Sequence, residues 1–218
     1  MGPTMIAAIF DLDNTIIRGR SVERRFFYRL VRERRIGFRE FSRMIGFIAR
    51  NLYRLSPMIL HAHKLYLTGK SVSEMERLAV QYVAEDAVPH ISREALDHLE
   101  RHRAAGHHLV VLTGCPDFLI APLSPHLKAD TVICGQLERR AGRFTGYTES
   151  PYPYGIGKRQ LLDRLVATHG LDLTRSFAYA DRLSDLEILS AVRYPAVVNP
   201  GRRLARIAAK RGWKVFHW

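Results

Sequence analysis

The 218-residue sequence predicts an α/β protein: a doubly wound, Rossmann-like parallel sheet with a helical block inserted after its first strand. Three observations predict it. Short apolar runs rich in β-branched residues recur at 5–10, 109–113, 131–134, 177–180 and 196–199, with a last candidate strand at 214–217. Helix-length amphipathic segments separate most of them, at 92–105, 158–169 and 202–211, an alternation that builds a parallel sheet covered on both faces. The stretch 18–90 holds no strand-like run and reads as helices 22–35, 38–55, 57–67 and 73–85, with Pro57 and Ser73 as helix-start residues. This divides the chain into an α/β core, 1–17 and 91–218, and an inserted helical cap, 18–90. A hairpin is expected where 137–139 and 143–147 flank Ala141-Gly142.

The composition, 47% hydrophobic and 25% charged, is that of a folded chain rather than a disordered one. Cys115 and Cys134 are the only cysteines and have no zinc-site spacing, so neither a disulfide scaffold nor a structural zinc centre is indicated. No run approaches the roughly 18 apolar residues of a membrane span, and residues 1–10 lack the pattern of a signal peptide. A cytoplasmic location is expected. The net charge of +13 is unevenly placed: residues 18–54 hold twelve Arg against three Glu, and 202–214 add six basic residues and no acid. Such fields speak to partners more than to fold.

The chemistry gathers at strand ends. In open α/β sheets ligands bind at the carboxyl ends of the strands. Asp11 and Asp13 end the first strand, Thr113-Gly114 the second and Asp181 the fourth, with Asp185 four residues on and Gly157-Lys158 opening a helix. An isolated Asp-x-Asp is more often a cap or turn, and the companions are what change its meaning. Carboxylates near one point repel unless a cation intervenes, and oxygen-only ligation favours Mg²⁺. Lys and Thr-Gly supply donors for a tetrahedral anion. This is the equipment of a phosphoryl-transfer site.

The segments FDLDNT, VVLTG, GIGK and YADRLSDLEIL resemble, in order and spacing, the four motifs of the haloacid dehalogenase superfamily, subfamily IB, whose phosphoserine-phosphatase-like hydrolases carry a helical cap between the first two. The resemblance continues through RRAGRFTG and the last strand; the cap matches only in position and helicity. It implies Asp11 as the nucleophile that forms an aspartyl-phosphate and Asp13 as general acid and base. It also implies Mg²⁺ held by Asp11, Asp13 and Asp181 with Asp185 in support, phosphoryl oxygens bound by Leu12, Thr113, Gly114 and Lys158, and substrate specificity in the cap. Family dehalogenases lack an acid at the second position, so Asp13 argues for phosphate chemistry.

The expected activity is therefore Mg²⁺-dependent hydrolysis of a small phosphate monoester. Related phosphoserine phosphatases carry a Glu where this sequence has Arg20, a cation that repels an ammonium; phosphoserine is accordingly disfavoured, and Arg20 is a candidate for binding a second anionic or neutral group. Arg182, after Asp181, is a further departure, since small residues are usual there. LTGCPDFLIAPL also resembles lipid-phosphate phosphatases of the subfamily. In 38–55, Phe38, Phe41, Ile45, Ile48, Leu52 and Leu55 share a helical face opposite Arg39, Arg43, Arg50 and Arg54. The simplest packing seats that apolar stripe on the other cap helices, leaving Phe47 exposed; peripheral contact with an anionic inner membrane face, and a lipid phosphate as substrate, is the alternative. A phosphomutase or phosphotransferase would use the same intermediate, whereas a nucleic-acid-binding module lacks any recognition motif and is not expected. Either a monomer or a homodimer fits. The GIGK stretch lacks the rest of a P-loop. His61, His63, His107 and His108 lack a completing ligand set nearby, and Cys115 reads as a buried apolar residue.

Overall fold

The computed structural model describes residues 4–50 and 63–218. Six strands form one parallel sheet in the order β3-β2-β1-β6-β7-β8: β1 (Ala7–Phe10), β2 (His108–Pro116), β3 (Thr131–Gly135), β6 (Phe177–Ala180), β7 (Tyr194–Val198) and β8 (Lys214–Phe216). Strand β1 is central, pairing with both β2 and β6. Because side chains alternate across a strand, Ala7 and Ile9 enter one core with Leu162 of α6 (Ile156–His169), Ile188 of α7 (Leu186–Ala191) and Leu204 of α8 (Arg202–Arg211). Ala8 and Phe10 enter the other, with Leu99 of α4 (Arg93–Ala104) and Leu123 of α5 (Asp117–Leu127).

The insert supplies α1 (Val22–Arg32), α2 (Phe38–Arg50) and α3 (Val72–Tyr82). Ser21 and Ser71 cap α1 and α3 through their hydroxyls. Phe26 of α1 packs edge-on against Tyr82 of α3 and ties the insert to the second core by an edge contact with Phe118 of α5. The hairpin forms as β4 (Leu137–Arg140) and β5 (Arg143–Thr148), its Ala141-Gly142 turn taking positive φ at both residues. Its free edge is paired by the insert: Lys64 N donates to Gly146 O, Gly69 N to Phe144 O and Phe144 N to Lys70 O.

Several elements differ from the sequence pattern. Helix α1 stops at Arg32 rather than residue 35, and Arg34 adopts φ 56°, which a continuing helix does not allow. Of the expected helix 57–67, Leu65–Leu67 form a single 3₁₀ turn, and Pro57 and His61 lie outside the described residues, as do 51–55 of the expected helix 38–55. Helix α5 was not expected, because Pro122 and Pro125 lie inside it. Burial of Phe118, Leu119, Ile120, Leu123 and Leu127 outweighs the two missing backbone donors. On α2 the expected packing fails at two of the three stripe residues whose side chains are described, Phe41 alone reaching Phe27 of α1, while those of Ile48, Leu52 and Leu55 lie outside the described residues. Phe38 and Ile45 are 86% and 66% exposed, whereas Phe47 is half-buried with its ring against His63.

Candidate active site

A crevice of about 720 Å³ opens at the carboxyl end of the sheet, between the core and the insert. Asp11 follows β1 directly and Asp181 follows β6, while Thr113 and Gly114 belong to the end of β2. Lys158 lies in the first turn of α6, and Asp185 closes the 3₁₀ turn leading into α7. Parallel pairing of β2, β1 and β6 puts these ends side by side, which is why positions up to 174 residues apart in sequence, Asp11 and Asp185, line one wall.

The polar groups here are buried. Lys158 Nζ lies 2.5 Å from Asp11 Oδ1 and 2.8 Å from Asp185 Oδ1. Asp11, Asp181 and Asp185 can each aim an oxygen at one point, those atoms lying within 4.8 Å of one another. Burial is the main force raising the Asp11 pKa, reinforced by the carboxylates of Asp185, Asp181 and Asp13; Lys158 pulls the other way and does not cancel them. Burial likewise raises Asp181, against the pull of Arg182 and of the Asn14 side chain. Burial opposes the charge on Lys158, but Asp11 and Asp185 more than restore it. Lys158 thus serves Asp11 and Asp185 at once, and Asp181 Oδ1 is buried with no hydrogen-bond partner among the described residues. An all-oxygen set with an orphaned acceptor fits a hard divalent cation.

Asp13 is placed differently. Its Oδ1 accepts from Val22 N at 2.9 Å, at the start of α1. Burial raises its pKa, partly countered by that backbone donor and by the nearby Arg182 guanidinium, the direction that suits a proton donor. Thr113 Oγ1 accepts from Cys115 N at 3.1 Å, so its hydroxyl proton stays available for an anion.

Of the sequence-selected residues, Asp11, Asp13, Arg20, Thr113, Gly114, Lys158, Asp181 and Asp185 all line the crevice. Leu12 can meet an anion through its backbone amide: its side chain is fully buried in the core and its carbonyl accepts from Ile16 N and Ile17 N. Arg20 is exposed at the rim with its guanidinium over the Tyr28 ring. Arg182 turns inward, its Nε 3.5 Å from Asp181 Oδ2. His63 also lines the crevice, but His107 and His108 bond to His102 and Thr131 away from it. Cys115 is buried, which pushes its thiol well above the usual range, as expected of an inert residue.

Other contributors carried weaker signals. Asn14, inside the first motif, donates to Asp181 Oδ2 at 3.1 Å and orients it. Tyr152 sits against three glycines, its hydroxyl donating to Gly114 O. A Cβ on Gly157 would fall 1.9 Å from Tyr152 O, and one on Gly135 2.7 Å from its ring. Tyr152 therefore joins the Thr113-Gly114 turn to the start of α6. At the far end of the crevice the nearly buried Lys64 pairs with Glu23 at 2.6 Å, and Tyr66 donates to the same carboxylate. These three residues belong to the insert, where spacing alone does not show which side chains meet.

A model of the haloacid dehalogenase-like hydrolase family matches residues 8–190. The chain belongs to this family. Among haloacid dehalogenase-like relatives, a probable phosphatase of Mycobacterium tuberculosis is 29% identical over 213 residues, covering 96% of this chain and 74% of that one. A histidinol-phosphatase of Neisseria meningitidis is 30% identical over 220 residues, covering 97% and 98%. A crystal structure of a Bordetella pertussis protein of unknown function superposes with a TM-score of 0.83 at 27% identity, covering 98% of this chain and 99% of the other. The likeness to these proteins runs through the insert as well as the core.

Proposed function

We propose that this haloacid dehalogenase-like hydrolase is a Mg²⁺-dependent phosphomonoester phosphatase working through an aspartyl-phosphate on Asp11, with the insert 18–90 as its cap. The carrying observation is the buried convergence of Asp11 with Lys158, Asp181 and Asp185 beside a second carboxyl, Asp13, in a different environment. Two carboxyls held in unlike surroundings suit a nucleophile and an acid.

Asp11 attacks phosphorus, and the bond to the leaving oxygen breaks as Asp13 gives that oxygen its proton. Asp13 then takes a proton from water as the water attacks the aspartyl-phosphate, releasing phosphate and returning both groups to their starting state. Lys158, the Thr113 hydroxyl and the Gly114 amide hold phosphoryl oxygens, and Lys158 keeps Asp11 aimed. Asp11, Asp181 and the Asp13 backbone carbonyl, with Asp185 in support, would hold Mg²⁺, which would neutralise charge on the carboxylates and on the phosphoryl group. The leaving group faces Glu23, Lys64, Tyr66, Phe27 and Met44. Arg20 at the rim disfavours an ammonium as the outermost group, so phosphoserine is not the proposed substrate. A small phosphorylated metabolite fits the volume; the exposed apolar face of α2 favours, as a second reading, an ester presented at a lipid surface.

The test is phosphate release from a panel of monoesters, with and without Mg²⁺, using Asp11→Asn as control. The panel spans phosphoserine, histidinol phosphate, sugar phosphates, nucleotides, lysophosphatidate and phosphatidylglycerophosphate. Mg²⁺-dependent release that falls by roughly a thousandfold or more in Asp11→Asn is expected. Activity surviving the substitution overturns the nucleophile assignment. Transfer to an added alcohol with little free phosphate would point to a phosphotransferase instead.

A further inference from the structure

The outer face of α2 is built the wrong way round for a helix immersed in water. Phe38, Phe41 and Ile45, one face by their spacing, are 86%, 40% and 66% exposed. Tyr28 of α1 is exposed as well, and Arg20 and Arg24 hold their guanidiniums over its ring. Single exposed apolar residues need no explanation, but a row on one helix does.

Charge surrounds the row. The insert's arginines divide into two sets. Arg18, Arg25, Arg29 and Arg35 are spent on Glu94, Asp86, Glu85, Glu33 and Glu74. Arg20, Arg24, Arg32, Arg34, Arg43 and Arg77 take part in no ion pair among the described residues. Arg20, Arg24, Arg32 and Arg34 are exposed around the start of α1 and the α1–α2 turn that leads into Phe38.

The row is also continuous with the crevice. Phe41 meets Phe27 edge-on at 6.4 Å between centroids, and Phe27 meets Tyr66 at 5.2 Å. Phe27 and Tyr66 line the crevice together with Met44 of α2, Arg20 and Arg24. Apolar surface thus runs from the outside of α2 to the leaving-group end of the site, with cations at the mouth.

We propose that α2 and the adjoining turn dock on an anionic lipid surface, with Phe38, Phe41 and Ile45 in the acyl boundary and Arg20, Arg24, Arg32 and Arg34 among the headgroups. An apolar row set beside unpaired arginines matches the two layers of such a surface, whereas a protein partner would have to supply both in register. Docking this way turns the crevice mouth toward the headgroups. Its consequence for the substrate, a phosphate monoester carried on an amphiphile, rests on the phosphatase reading; the docking itself does not.

The test is flotation of the full chain with vesicles of phosphatidylcholine alone or with about a third phosphatidylglycerol. Binding to the anionic vesicles only, weakening as salt rises, is expected. The double variant Phe38→Ser/Ile45→Ser should lose about tenfold in partitioning, and Arg32→Gln/Arg34→Gln at least about tenfold, with thermal melts unchanged. Asp11→Asn should float as the unsubstituted protein does, which separates failure of the phosphatase reading from failure of docking. Absence of flotation, or flotation indifferent to both double variants, overturns the proposal. So does a stable dimer that Phe38→Ser/Ile45→Ser turns into a monomer, because a second copy would then cover the row.

Discussion

The crevice and the outer face of α2 depart from ordinary packing in opposite senses. In the crevice three carboxylates and an ammonium are buried, where charge is expensive. On α2 large apolar side chains stand in water and forgo roughly 1.5–3 kcal/mol apiece of burial. Neither arrangement helps the chain fold. The crevice is balanced internally, by Lys158 and a place for a cation, whereas the α2 face has no balance within the described residues and looks outward for it. On the two readings proposed above, the first acts on something small and the second meets something large.

The sharpest way to break this contrast is to unbalance the crevice. Lys158→Met leaves Asp11 and Asp185 without the ammonium that pairs with both, and stability near pH 7 without added metal should fall by about 3–5 kcal/mol in a denaturant titration. Saturating Mg²⁺ should return part of it, by about 2.7 kcal/mol at a hundredfold excess over Kd. An equal loss with and without Mg²⁺ would show that the carboxylates do not share a cation.

A smaller effect comes from His102, a buried base remote from both regions. Its Nε2 lies 2.9 Å from the Tyr179 hydroxyl and its Nδ1 2.8 Å from His107 Nδ1. Burial, then the neighbouring His107, His98 and Arg101, lower its pKa from 6.5 to about 4. The folded state therefore keeps His102 neutral while the unfolded chain takes up a proton. Stability is fully present above about pH 6.5 and declines as pH falls toward about 4, by on the order of 2 kcal/mol from this residue. His102→Gln should flatten that part of the melting-temperature profile. An unchanged slope would assign the acid sensitivity to other groups.

The smallest effect is expected on α2. Phe38→Ser should shift stability by no more than about 0.5 kcal/mol, since little is buried there to lose. A loss of 2 kcal/mol or more, as for a core aromatic, would mean that the face is covered in solution by the protein itself.

Much of the core was legible in the sequence, for a physical reason. Strands buried on both faces must be apolar over their whole length, so β1, β6 and β7 stand out as runs. Parallel order then brings their carboxyl ends to one edge, so Asp11, Thr113, Lys158 and Asp181 could be assembled on paper. Helix α5 was hidden by its prolines, because local propensity argues against it and only the packed core argues for it. Tyr152 and the Glu23–Lys64 pair were hidden because their meaning lies in contacts between segments far apart in sequence.

By itself, then, the sequence determined the strand-and-helix alternation, the acidic and basic residues of the site and the amphipathic period of α2. Only the tertiary structure decided which of those groups face one another and which face out. Periodicity states that a helix has an apolar side but not what that side meets, since burial belongs to the neighbours a segment acquires. For α2 the period suggested an inward-facing stripe; the folded arrangement leaves Phe38 and Ile45 in water.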